Sequence, residues 1–351
     1  MYPYEREWGV NSVNLDRYIA ANTNWSESKQ FINSIRKLLV NAEVDSAVTT
    51  IAAAGSMGRM EAAPGVSDAD LIIVLSDNIA PESEEAKRVH ESVWKLLEPL
   101  NLEKPKPTGV FATPTTQQQL ISNIGKANEG YEVFSKRLLL LLETQPLYQD
   151  ENYTRLINSI VDRYADKYVK NDSKKEWTLL LNDLIRYFRS LAVNYQWDFD
   201  NQVEKWAIRN IKLRHSRLVM YTGLLMLLGE ASKERNDKVS WLQNQLKRTP
   251  LERIAWVYEQ NHDWNFYKVL GPYNVFLSRL SKPEVRQSLN FNPSDLTAPH
   301  NGGENSYDRR YNNEEFSNLK ANSDGLISEL LRFVLARRGN WTERFFEYLI
   351  F

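Results

Sequence analysis

Apolar residues recur along this chain with two different periods, and the point where one gives way to the other divides it. Phe31, Ile32, Ile35, Leu38, Leu39 and Val40 fall at helical spacing after a Ser26 or Ser28 cap and predict an amphipathic helix over about 26–43. Thr49 to Ala54 is a short β-prone run that stops at Gly55, and Ala69 to Leu75 is a continuous apolar run ending at Ser76-Asp77. A glycine-bearing loop joins them. Glu82 to Leu97 then reads as a helix, Thr108 to Thr113 as a third strand, and Pro114 to Ile124 as a helix opened by proline.

From about Tyr131 the strand signal ends. Helical patterns follow at roughly 131–145, 150–168, 174–197, 204–229, 236–247, 250–261 and 263–280. Residues 291–325, rich in Asn, Ser, Asp, Gly and Pro around Asn301-Gly302-Gly303, read as a loop or linker. Leu326, Leu330, Leu331, Val334 and Leu335 mark a last amphipathic helix. The aromatic tail of Phe345, Phe346, Tyr348 and Phe351 is expected to dock on the helical part or on a second copy of the chain. The expected fold class is α+β: a small mixed sheet with helices over 1–145, a larger α-helical domain over 146–290, the linker over 291–325 and a C-terminal helix over 326–351.

A length of 351 residues fits two domains or one with a large extension. With 42% hydrophobic and 25% charged residues the composition is globular, and a formal net charge of -1 excludes a diffuse cationic surface for nucleic acid while leaving room for a local basic cleft. Cysteine is absent, which removes disulfides, thiolate nucleophiles and cysteine metal sites, and fits a reducing compartment. Residues 1–22 lack a signal-peptide pattern, and the most apolar stretch, Leu218 to Leu228, is about half of a bilayer span. The expectation is a cytoplasmic protein with no membrane partner. Any metal must be held by oxygen or histidine, and His90, His262 and His300 lie too far apart for a zinc motif.

The chemistry concentrates in Gly55-Ser56-Met57-Gly58-Arg59-Met60-Glu61 and Ser67-Asp68-Ala69-Asp70. A strand ending in Gly-Ser and turning into a loop or helix start exposes backbone N–H groups and a hydroxyl to polyphosphate oxygens, and Gly58 permits close backbone approach. Asp68 and Asp70, two apart at the start of a strand, point to the same side and form a hard oxygen site suited to Mg²⁺. Arg59 either balances phosphate charge or pairs with Glu61 to brace the loop. Either half alone is more often an ordinary turn or a solvated strand start; together, in this order, they point to a nucleotide site.

Gly55-Ser56 followed by Asp68-Ala69-Asp70 resembles the signature of the DNA polymerase β-like nucleotidyltransferase superfamily. The intervening Gly58-Arg59-Met60-Glu61 and the Ser67-Asp68-Ala69-Asp70-Leu71 run are similar to the branch holding the PII uridylyltransferases and glutamine synthetase adenylyltransferases. The motif spans about twenty residues and the catalytic domain roughly 30–145. The resemblance implies triphosphate contacts from Gly55 and Ser56 and metal ligation by Asp68 and Asp70. It also implies Mg²⁺ or Mn²⁺ as cofactor, a nucleoside triphosphate (ATP foremost) as substrate, and a protein, RNA or small-molecule acceptor. Two departures stand out. Eleven residues separate Ser56 from Asp68, one more than in many relatives, and the third carboxylate of active members has no counterpart in Thr108 to Thr113; nearby Glu103 lies in a Lys-Pro-rich approach.

In the second half, Arg186 and Arg189, Arg209 and Lys212, and Arg214 and Arg217 are each three apart and share helix faces, either solvating them or lining the cleft opposite the loop. Their order resembles the helical region of the same family, and Arg209 and Lys212 are the favoured phosphate contacts. His215 reads as a satisfied core or helix-surface histidine, and the ten tryptophans as helix packing rather than base platforms. The function expected is Mg²⁺-dependent transfer of a nucleoside monophosphate with release of pyrophosphate. The alternative is a nucleotide-sensing or partner-binding module that keeps the fold without the chemistry.

Overall fold

The computed structural model describes residues 1–65, 68–126, 129–296 and 313–350. Helix α1 runs Ile19–Asn41. It starts before the expected cap because Ala21 and Trp25 extend the buried face of Ile32, Ile35 and Leu39. Ser28 is therefore inside the helix, fully buried, with its hydroxyl accepting the Ala62 amide at 2.9 Å. Strands β1, Val48–Ala53, and β2, Leu71–Leu75, flank the short helix α2, Gly55–Gly58. Every residue of β2 is buried, in keeping with its unbroken apolar run.

Helix α3, Glu84–Leu96, is capped by the Ser83 hydroxyl. The third strand is not Thr108 to Thr113, which forms turns and bends, but the two-residue β3, Thr115–Thr116. The Thr116 hydroxyl accepts the Gln119 amide and opens helix α4, Gln117–Ser122, so the cap is the threonine and not Pro114. Helix α5, Tyr131–Leu142, is followed by a fourth strand, β4, Gln145–Tyr148, which the periodicity missed because four residues carry no alternation to read. The sheet order is β3-β2-β1-β4, with β1 antiparallel to both β2 and β4 and β3 parallel to β2. Pro146 is tolerated because β4 is an edge strand.

The remainder is helical: α6 Asp150–Asn171, α7 Thr178–Asp200, α8 Trp206–Lys212, α9 Leu218–Ser232, α10 Lys238–Gln245, α11 Pro250–Gln260, α12 Tyr267–Leu280 and α13 Pro283–Ser288. Between α8 and α9 the chain makes a π-helical turn over Leu213–Arg217. Helix α14, Glu314–Ala336, starts twelve residues before Leu326, within the stretch expected to be linker, because Asn313 caps it and Phe316, Leu319 and Ser323 already face the core. Residues 297–312, with Asn301-Gly302-Gly303 and His300, and Phe351 lie outside the described residues. Helix α15, Glu343–Ile350, follows Trp341, whose ring packs on Gly229 and whose N–H donates to Glu230 at 2.9 Å. Phe345 is buried against the Trp341 ring, and α15 packs on α7.

The architecture is α+β with the larger part helical. The sheet and helical parts share one continuous core. Three polar clamps reinforce it. Fully buried Glu252 accepts from Arg6, Gly9 and Thr249. Arg36 pairs with Asp150 at 2.7 Å. Buried Arg253 donates to the carbonyls of Leu141, Leu142, Leu246 and Arg248, each at 2.9 Å. No helix among the described residues is long and apolar enough to cross a membrane.

Candidate functional site

The site begins where β1 ends. Ala54 donates its N–H to the Asp70 carbonyl at 2.8 Å, which ties the strand end to the start of β2. Gly55 then turns the chain with φ +64°, and a β-carbon on it would lie 2.3 Å from Asp70 Oδ2. Glycine is required on both counts, handedness and space. The turn opens α2, so the Ser56 and Met57 amides sit in a first turn where no intrahelical acceptor exists. The Gly55 amide is already used, donating to Glu143 Oε1 at 2.8 Å.

Glu143, immediately after α5 and fully buried, is the hub beneath the turn. Its Oε2 accepts from Arg59 at 2.5 Å, and Arg217 approaches both of its oxygens at 3.3 and 3.4 Å. Burial opposes its charge, but Arg59 and Arg217 outweigh that penalty and hold the carboxyl below its ordinary range. Arg59 also donates to Glu61 at 2.7 Å, and Glu61 accepts from the Tyr273 hydroxyl of α12. Of the two roles open to Arg59, the structure shows bracing of the loop.

Asp68 is exposed and Asp70 partly buried, both at the start of β2. Burial and then the neighbouring Asp68 charge push Asp70 up to about 6. Both line a cleft of about 210 Å³ together with Gly55, Ser56 and Arg59. The facing wall comes from the second half of the chain: Lys212, Ser216 and Arg217 around the π-helical turn, the apolar end of α12, and Arg286 of α13. Residues five apart in an α-helix diverge by about 140°. The wider i→i+5 turn over Leu213–Arg217 swings Arg217 back toward the face of Lys212. Lys212 stands open to the water of the cleft, yet the surrounding protein and then Arg217 lower its amine to about 8.

Six of the residues singled out from the sequence, Gly55, Ser56, Arg59, Asp68, Asp70 and Lys212, therefore meet in one cleft. Two do not line it. Gly58 is buried where a β-carbon would strike the Glu143 and Ala53 carbonyls, so its close approach is to the fold's own backbone. Arg209 pairs with Asp198. Of the other basic residues, Arg186 pairs with Glu129 over the Phe134 ring, and Arg214 pairs with Asp324. His215 is a satisfied core residue between Ile211 and Asn322, and among the described residues no tryptophan lines the cleft. Ser67 lies outside the described residues.

The backbone of Glu103 forms a parallel bridge with Asp68, but Glu103 is exposed and does not line the cleft. Among the described residues no group of three or more acidic or histidine side chains is placed to hold a metal. Sequence reasoning missed Glu143 and Arg286. An acid directly after the apolar run Leu138–Leu142 was a readable warning of a buried, paired carboxylate, whereas nothing local marks Arg286. No family model, curated protein or solved structure matches the chain.

Proposed function

We propose that the chain is a Mg²⁺-dependent nucleotidyltransferase whose cleft binds the polyphosphate of a nucleoside triphosphate. One observation carries the proposal. Asp68 and Asp70 on one wall, and Lys212 and Arg286 on the other, form no ion pair among the described residues, so two free carboxylates face two free cations beside the Gly55-Ser56 turn. Uncompensated charges of both signs in one cleft suit a ligand that brings its own cation and its own anion.

The donor set fits a hard divalent ion: two carboxylates on one side of a strand start, with Asp70 packed against the bare Cα of Gly55. When bound, Mg²⁺ would supply charge neutralisation at the phosphate oxygens. The rest falls to the chain. Ser56 and its amide hold phosphate oxygens, while Lys212 and Arg286 fix the triphosphate and stabilise negative charge on the departing pyrophosphate. An acceptor oxygen forms the new bond to the α-phosphorus as the bond from that phosphorus to the β-phosphate oxygen breaks. Among the described residues no third carboxylate joins Asp68 and Asp70 in a metal-holding group, so the acceptor's proton is left to the water of the open cleft.

That same lack of a third acid favours the second reading, a nucleotide sensor without turnover. Incubating the protein with Mg²⁺ and α-labelled ATP, UTP, GTP or CTP in cell extract, beside Asp68→Ala/Asp70→Ala, separates the two. Label incorporated by the unaltered protein alone supports the transferase. Metal-dependent binding without pyrophosphate release supports the sensor, and neither result would remove both.

A further inference from the structure

We infer that the cleft recognises the metal-bound polyphosphate and does not read the base, an inference that rests on the nucleotide site proposed above. The neutral polar side chains positioned to address a base edge are already committed to the protein. Asn24 donates its amide to the Glu61 carbonyl at 3.0 Å, the Ser216 hydroxyl donates to the Lys212 carbonyl at 3.2 Å, and the Ser281 hydroxyl donates to the Ser278 carbonyl at 2.8 Å. Between them the wall is Ala63, Phe276, Leu277 and Leu280, which gives contact without direction. Phe276 has its ring stacked on His215 at 4.4 Å.

Strong discrimination arises when a wrong ligand leaves buried hydrogen-bonding groups unpaired, and apolar contact alone discriminates only weakly. Asn24 keeps its amide oxygen and its second N–H, one neutral group whose hydrogen bonds are each worth at most about tenfold. What stays open is charge: the Asp68 and Asp70 carboxylates, the Lys212 amine and the two Nη groups of Arg286, whose Nε donates to the Leu280 carbonyl at 2.6 Å. Size agrees. A cleft of about 210 Å³ is smaller than the roughly 300–1,000 Å³ that encloses a drug-sized ligand. The polyphosphate and its metal fill it, and the base lies at the open mouth.

Titration calorimetry in Mg²⁺ with ATP, GTP, UTP, CTP, inorganic tripolyphosphate and AMP tests this on the unaltered protein. The four nucleotides and tripolyphosphate should bind within about tenfold of one another, with AMP at least about a hundredfold weaker. Lys212→Ala and Arg286→Ala should each weaken all five triphosphates in parallel, by about tenfold or more. A preference above about a hundredfold for one base, or failure of tripolyphosphate where a nucleotide binds, overturns the inference and leaves the nucleotide site standing. Binding by none of the triphosphates removes both.

Discussion

Gly55→Ala tests the contact on which the metal-side geometry depends. The substitution forces an L-residue to φ +64° and places a β-carbon 2.3 Å from Asp70 Oδ2 and 3.1 Å from its Cγ. The left-handed backbone costs about 1–2 kcal/mol, and displacing packed atoms adds about 1–3 kcal/mol. The expected loss is therefore about 2–5 kcal/mol, enough to remove a large share of a domain's stability. Asp70→Ala deletes Oδ2 and Cγ and leaves only a Cβ contact at 3.3 Å. In that background Gly55→Ala should cost the backbone part alone, so a double-mutant cycle should show coupling of about 1–3 kcal/mol. Urea unfolding of the four proteins, with their slopes compared to confirm a common transition, measures it. An equal cost of Gly55→Ala in both backgrounds would refute the placement of the Asp70 carboxyl over the turn.

Three further outcomes follow from buried polar groups. Arg253→Met strips four carbonyls of their donor and should destabilise by about 3–5 kcal/mol in urea; a change under about 1 kcal/mol would mean that other donors replace it. Glu143→Gln leaves Arg59 and Arg217 short of a counter-charge and should cost about 3–5 kcal/mol, partly recovered by adding Arg59→Gln; no recovery in the double variant would contradict the pairing. His215, held down to about 4 by burial and then by Arg214, stays neutral while the unfolded chain takes up its proton from about 6.5 downward. Its contribution is present above pH 6.5 and lost as pH falls toward 4, by about 3 kcal/mol in all. Unfolding midpoints between pH 7.5 and 4.5 should lose this slope in His215→Asn, and an unchanged slope would assign it elsewhere.

The helices were readable wherever a buried face repeated over several turns, as in α1, α3 and α11, because one apolar stripe meets one core. Short elements were not. Thr115–Thr116 and Gln145–Tyr148 are strands because β2 and β1 offer them open edges, a condition no local pattern carries. The β-branched, aromatic character of Thr108 to Thr113 promised a strand that the sheet does not use. Helix α14 was shortened for the opposite reason, since Asn322, Ser323 and Asp324 read as loop residues. In the fold Ser323 and Asp324 receive Arg214, and the Asn322 amide reaches His215 Nε2 and the Pro272 carbonyl.

The candidate site was half readable, and the division is physical. Gly55, Ser56, Asp68 and Asp70 belong to one strand-turn-strand unit, so their spacing encodes their geometry. The facing cations come from residues more than 130 positions later, where spacing within a helix misleads. Read as a regular α-helix, Arg209 and Lys212 share a face while Lys212 and Arg217 diverge by about 140°. The π-helical turn brings Arg217 beside Lys212 at the cleft, while Arg209, in the regular helix before that turn, pairs with Asp198. One extra residue in one turn of helix thus decides which basic side chains the carboxylates face. Glu143 gives that turn a consequence at the loop, because Arg217 and the Gly55 amide share its carboxylate. Any change that resets the turn to regular α-helix would move a cation out of the cleft and loosen the Gly-Ser turn together.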